Sequence, residues 1–175
     1  MKKIIKIAIT GTESTGKTTI SQQLAQHYQT EFVEEYARSY LTTFGKNYQQ
    51  EDVWKIIKKQ LILEKEKEKI ANQILFTDTD TTVFKIWLEN AYNYLPDWFS
   101  IIYDTHHYDF YLLMAPDLTW EYDELREHQH SRHLLHQLYI KELAEKKANF
   151  ALINGQDKNR FNNAVLAVDT FLSTI

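Results

Sequence analysis

The sequence predicts an α/β protein in three layers: a five-stranded parallel sheet with helices on both faces. Two observations predict it. Short apolar, β-branched segments alternate with amphipathic ones along the chain. The loop Gly11, Thr12, Glu13, Ser14, Thr15, Gly16, Lys17, Thr18 directly follows the first apolar segment. The length of 175 residues suits one domain spanning 1–175, and 4 Gly with 2 Pro leave little material for a flexible linker.

Residues 4–10 are apolar and β-branched and end at Gly11, as a buried parallel strand does. Three lysines precede and interrupt this run, which is too short for a secretion signal and lacks a small-residue cleavage site. No run approaches the length of a membrane span, so the expected location is the cytoplasm. A helix follows from Lys17 to about Tyr28, with Ile20, Leu24 and Ala25 on one face. Glu31 to Glu34 reads as the second strand. Residues 50–73 read as a long helix whose buried face is Val53, Ile56, Ile57, Gln60, Leu61 and Leu63. Glu64, Glu66 and Glu68 are assigned to its solvated face. The insert between the second and third strands is expected over the carboxyl edge of the sheet.

The third strand is 74–77, ending at Asp78-Thr79-Asp80. Helices are expected at 82–94 and 97–106, the first closed by Pro96. The fourth strand is 110–114, followed by a polar, irregular stretch from Asp117 to about Gln129. A helix at about 131–147, a fifth strand at 150–153 and a last helix at about 158–173 complete the chain.

Composition excludes several chemistries. Without cysteine there is no disulfide, thiolate metal site or cysteine nucleophile. A net charge of −4 argues against a nucleic-acid footprint, and no membrane partner is expected. The four histidines His128, His130, His133 and His136 lack a completing ligand frame and are read as solvated.

The spacing Gly-x4-Gly-Lys-Thr has a physical task. Gly11 and Gly16 let the backbone curl so that successive N–H groups face inward, and the following helix N-terminus completes an anion cradle. Lys17 can reach the β- and γ-phosphates, and the Thr18 hydroxyl is placed for Mg²⁺. With Thr19, these residues form the expected nucleotide site. The expected cofactors are ATP and Mg²⁺. A GTPase needs a guanine-reading Asn-Lys-x-Asp, whereas Gln156-Asp157-Lys158-Asn159 has the wrong order. A compact chain with a charged segment late in the sequence favours a nucleoside or nucleotide kinase over a motor ATPase.

Asp78 and Asp80, at a strand end, can hold Mg²⁺, grip the hydroxyls of an acceptor, or cap the next helix. Glu35 is the candidate base, orienting an acceptor hydroxyl and taking its proton, while Glu34 points away. Arg126 and Arg132 are candidate lid arginines that neutralise the moving phosphoryl group. Arg38 can contact the acceptor. Tyr36, Tyr40, Trp87, Tyr92 and Trp120 can stack on a planar ring, although most of the aromatics must serve the core.

The run Gly11 to Thr19, then Val33-Glu-Glu-Tyr-Ala-Arg38 with Tyr40 and Leu41, resembles the ribosylnicotinamide kinase domain of bacterial NadR-type proteins. So do Asp78-Thr79-Asp80 with Thr82 and Trp87, and Leu112 to Trp120 leading to Asp123, Leu125 and Arg126. The resemblance covers nearly the whole chain. It implies the P-loop NTPase fold with strand order 2-3-1-4-5 and a lid, and transfer of the ATP γ-phosphate to nicotinamide riboside in NAD salvage. Lys17 and Thr18 then serve phosphate and Mg²⁺, with Asp78 a second metal ligand. Glu35, Tyr36, Arg38, Asp78, Asp80, Trp87 and Trp120 serve the acceptor, and Asn154-Gly155 cradles adenine. Bifunctional members carry an adenylyltransferase domain before this one, so adenylyl transfer is not expected of this chain. Two alternatives stay open: a kinase for another nucleoside or small hydroxyl metabolite, and an ATP-dependent switch.

Overall fold

The computed structural model describes residues 3–45, 47–126 and 130–175. Its sheet is fully parallel. The strands are β1 (Ile5–Thr10), β2 (Glu31–Val33), β3 (Ile74–Asp78), β4 (Phe110–Met114) and β5 (Phe150–Ile153). Their order is β2-β3-β1-β4-β5, as the resemblance implies. Ile9 pairs with Asp78 and Thr10 with Leu113, so three central strands deliver their carboxyl ends to one edge.

The helices are α1 (Lys17–His27), α2 (Tyr36–Phe44), α3 (Gln50–Glu68), α4 (Thr81–Tyr92), α5 (Asp97–Thr105), α6 (Arg132–Glu145) and α7 (Asp157–Leu172). Among the described residues none is long and apolar enough to cross a membrane. Strand alternation sends Ile7 and Ile9 into one core with Leu24 of α1 and Ala164 and Val168 of α7. Ala8 and Leu113 face the other way, against Ile86 of α4 and Tyr139 and Leu143 of α6. A third cluster joins α2, α3, α4 and α5 through Ala37, Ile56, Ile57, Phe84, Leu88 and Phe99.

The structure departs from the sequence-based expectation at three places in this region. Helix α2 was not anticipated. It ends at Gly45, whose φ of 82° takes the left-handed backbone that glycine tolerates. Helix α3 does not lie over the carboxyl edge as a whole; its Gln60 reaches the end of β3 while Glu64 reaches Lys6 near the start of β1. Glu64 is not on a solvated face. It is 1% exposed, accepting hydrogen bonds from Tyr108 Oη (2.7 Å) and Lys6 Nζ (3.1 Å), with His106 Nε2 at 2.8 Å. Spacing alone puts it among the other glutamates, but Lys6, Tyr108 and His106, which meet its carboxylate, come from β1 and the α5–β4 connection.

Burial alone would raise the Glu64 pKa, yet His106, Lys6 and Tyr108 outweigh it and hold the carboxyl below the usual range. A lowered acid stabilises the fold at neutral pH, and that contribution is lost as pH falls through its native value. Glu64→Leu should therefore cost about 3 kcal/mol at pH 7 by leaving Lys6 and Tyr108 without their partner. Urea unfolding should show that difference shrinking as pH falls below the ordinary glutamate range and through the lowered native value, where the wild-type carboxylate also protonates.

Candidate functional site

The carboxyl edge of β1 turns directly into the phosphate loop. Gly11 (φ 129°) packs so closely on β4 that a Cβ there would meet the Met114 carbonyl oxygen at 2.9 Å. Gly16 (φ 76°) is the N-cap of α1, and a Cβ there would sit 3.3 Å from Leu118. Both sites therefore demand glycine. Thr15 Oγ1 donates to Thr12 O (2.8 Å), and Lys17 Nζ donates to the same carbonyl (2.9 Å), bending the lysine over the loop. The backbone amides of the loop and the α1 N-terminus suit an anion.

The end of β3 sits beside this loop. Thr79 takes φ 77°, an outlier for a β-branched residue and a strained one. This turn separates the tasks of the two aspartates. Thr18 Oγ1 donates to Asp78 Oδ2 (2.6 Å), whereas Asp78 Oδ1 is buried without a hydrogen-bond partner. Burial, then the neighbouring Glu35 charge, pushes the Asp78 carboxyl up to about 7 against the opposing pull of Lys17, Thr18 and Arg38. Asp80 does something else. It caps α4, accepting from Thr82 N (2.9 Å), Val83 N (3.4 Å) and Thr10 Oγ1 (2.7 Å). Its oxygens are thus engaged in the cap, it is fully buried, and it is not among the described residues lining the site's two cavities.

A bare oxygen on a reluctant carboxylate beside a hydroxyl fits a divalent cation. Among the described residues no cluster of three or more His, Asp or Glu could hold one. Thr18 and Asp78 would therefore hold Mg²⁺ together with phosphate oxygens and water, the usual pattern for that ion.

Two cavities open on this edge. The larger, about 550 Å³, runs along Ser14–Thr19 and is closed by Gln23, Arg38, Leu118, Glu121, Arg126, Gln156, Asp157 and Arg160. The smaller, about 140 Å³, is lined by Tyr48, Val83, Ile86, Trp87, Asn90, Leu135 and Tyr139. Glu13, Lys17, Glu35, Ala37, Leu41 and Leu125 belong to both. Glu35 owes its place to α2, for which it is the N-cap; Gln60 Oε1 accepts from Tyr36 N (2.8 Å) while Gln60 Nε2 donates to Asp78 O (3.2 Å), joining that helix start to β3.

Other expected residues fall differently. Trp87 lines the smaller cavity, its Nε1 donating to Tyr48 Oη (3.2 Å). Tyr36, Tyr40 and Tyr92 pack into the third core cluster, and Tyr36 is not among the described residues lining either cavity. Arg126 lines the larger cavity, donates to Ser14 Oγ (3.3 Å) and lies over the Trp120 ring, which itself faces neither cavity. Arg132 is a brace, not a cavity residue: its Nη2 donates to Leu118 O (2.8 Å), with Nη1 buried and unpartnered. Asn154 and Gly155 precede Gln156 and Asp157 in the chain but, unlike them, are not among the described residues lining the larger cavity. Gly155 N donates to Asp117 Oδ2 (2.7 Å), and Asn154 O accepts from Asn163. His136 is buried, not solvated, and burial lowers its pKa; His128 lies outside the described residues.

Arg160 and Tyr48 were missed. Arg160 is 3% exposed and donates to Thr15 O (2.9 Å), Ala115 O (2.7 Å), Gly155 O (2.8 Å) and Asp117 Oδ1 (2.6 Å). It thereby fixes the phosphate loop against the ends of β4 and β5.

The parallel sheet, its order and the glycine-bounded anion cradle define a P-loop protein with the fold of nucleoside and nucleotide kinases. More particularly, a family model described as AAA domain matches residues 6–160, and the chain belongs to that family. A search of curated proteins finds no match. Two similar solved structures are of NadR protein, one in complex with NR (TM-score 0.80) and one with NAD and AMP-PNP (TM-score 0.76). Both are 27% identical, cover 96% of this chain, and are themselves covered over 49% of their length, so this chain spans about half of each. A deoxyadenosine kinase from M. mycoides shares the fold at 16% identity and TM-score 0.66, with 95% of this chain and all of that one covered. The resemblance seen in the sequence is therefore also one of structure.

Because ionising Asp78 opposes folding, native stability falls as pH rises from the ordinary aspartate range through about 7. Asp78→Asn should raise the melting temperature of the ligand-free protein at pH 8 by about 3 °C or more, a gain that fades toward pH 5. The same variant should weaken Mg²⁺-dependent AMP-PNP binding at least about tenfold, measured by thermal shift or calorimetry.

Proposed function

We propose that the protein is an ATP-dependent kinase of nicotinamide riboside, producing nicotinamide mononucleotide and ADP. The observation that carries this reading is the junction of the two cavities at Lys17 and Glu35. The larger, built on the phosphate loop, has the place and size for ATP. The smaller, walled by Trp87 and Tyr48, suits a planar ring. Its described lining holds the carboxylates Glu13 and Glu35 against the one cation Lys17. That balance favours a neutral or cationic acceptor over one already bearing a phosphate, and the nicotinamide ring of the riboside is cationic. The structural likeness to NadR in complex with NR supports the same acceptor.

In the proposed reaction the 5′-hydroxyl oxygen attacks the γ-phosphorus in line. The bond from that phosphorus to the β,γ-bridging oxygen breaks, its electron pair leaves with ADP, and the hydroxyl proton passes to the Glu35 carboxylate. The loop amides and Lys17 hold the phosphates, and Arg126 offsets charge on the moving group. Mg²⁺, held by Thr18 and Asp78, would neutralise charge between the β- and γ-phosphates. Much of the rate enhancement then comes from holding donor and acceptor in line.

ADP release should be strongly and selectively stimulated by nicotinamide riboside when it is compared with a panel of nucleosides and with no acceptor. Stimulation by another nucleoside alone would discard the substrate, and a slow rate indifferent to every acceptor would discard the kinase. Glu35→Gln should lower the transfer rate about 100-fold while leaving the ATP Kd within about threefold.

A further inference from the structure

We propose that Asp123 is a positioning residue that couples lid closure over the donor phosphates to the placement of Glu35 at the acceptor. The inference rests on the kinase reading but concerns a residue that lines neither cavity among the described residues.

Residues 117–126 leave β4 and run across the phosphate loop. Glu121 N donates to Ser14 Oγ (3.2 Å), as does Arg126 Nη1 (3.3 Å), so the segment is fastened to the donor side. Asp123 fastens it to the acceptor side. Its Oδ2 accepts from Arg38 Nη2 of α2, three residues beyond Glu35, the N-cap of that helix. Its Oδ1 accepts from Leu125 N (2.9 Å), and its carbonyl oxygen accepts from Arg126 N (3.0 Å). One aspartate thus holds three things in register: the lid arginine, Leu125 at the meeting of the cavities, and the helix that carries the candidate base.

Stability does not account for this pair. The Arg38 side chain is 51% exposed, and an ion pair with a partner so open to water contributes little to folding. Its geometric consequence is larger. With the pair formed, the lid cannot lift from Ser14 without pulling on the N-terminal turn of α2. With it broken, the lid and Glu35 move independently, and water can reach the phosphates while the acceptor is misaligned.

The test compares wild type, Asp123→Asn, and the double exchange Arg38→Asp with Asp123→Arg. The asparagine can still accept from Leu125 N but loses the charge. Hydrogen exchange across 117–126 is measured with Mg²⁺ and AMP-PNP and needs no acceptor. It should be about tenfold faster in Asp123→Asn, with partial recovery in the double exchange. With nicotinamide riboside, Asp123→Asn should lower transfer about tenfold and raise the share of ADP formed without phosphorylated product, with ATP affinity within about twofold. Wild-type exchange and wild-type partitioning in Asp123→Asn would overturn the coupling. So would a loss of transfer in Asp123→Asn matched by a fall in melting temperature, with hydrogen exchange across 117–126 no slower in the double exchange than in Asp123→Asn. If wild type phosphorylates no acceptor, the kinase reading fails by itself, and hydrogen exchange still decides whether Asp123 fastens the lid to α2.

Discussion

A carboxylate held in a dry place without full compensation is the constraint around which this site is arranged. Asp78 ends the strand flanked by β1 and β2, is fully buried, and receives one hydrogen bond from Thr18 while its other oxygen has none. Such a group costs the folded protein stability, and the neighbouring Glu35 adds to that cost. Structures retain such costs where function needs them. A divalent cation arriving with phosphates would satisfy the bare oxygen and draw the carboxyl into its charged form, so ligand binding and local electrostatic relief are the same event. The strained Thr79 belongs to the same arrangement, because its left-handed backbone lets Asp78 face the loop while Asp80 caps α4.

From Asp78 the rest of the edge can be traced outward. Gln60 ties its carbonyl to the start of α2, which sets Glu35 at the boundary of the two cavities. Arg160 ties the phosphate loop to the ends of β4 and β5 through four carbonyl and carboxylate acceptors, three of them more than 40 residues away in the chain. The lid then closes the larger cavity and meets α2 through Arg38 and Asp123. Rigid strands thus place the phosphate-loop residues, while short helices and the 117–126 segment place the residues where the two cavities join.

Much of this was legible in the chain because its physical demands are local. A strand, a glycine-bounded loop and a helix carry the anion cradle within residues 5–27, and glycine is required where the backbone must curl or approach β4. The strand order followed from the resemblance those residues carry. The roles of Asp78 and Asp80 could not be separated from sequence, since a strand-end acid and a helix cap share the same spacing; the turn at Thr79 decides. Arg160 was invisible because its partner Thr15 lies 145 residues away and nothing near it in sequence signals burial. Glu64 was misplaced for a similar reason: its neighbours in sequence are solvated charges, but its partners are Lys6 and Tyr108. Tyr48 sits between two helices in a segment without periodicity, so no pattern marked it as a cavity wall.

In the proposed reaction donor and acceptor meet where the two cavities join. A crystal structure of the protein with Mg²⁺, AMP-PNP and nicotinamide riboside tests it most directly. The expected complex has the γ-phosphate beside Lys17, the riboside ring against Trp87 and Tyr48, and the 5′-oxygen about 3–3.5 Å from the γ-phosphorus and in contact with Glu35. A γ-phosphate directed away from the smaller cavity, or a riboside bound elsewhere with that cavity empty, would contradict it.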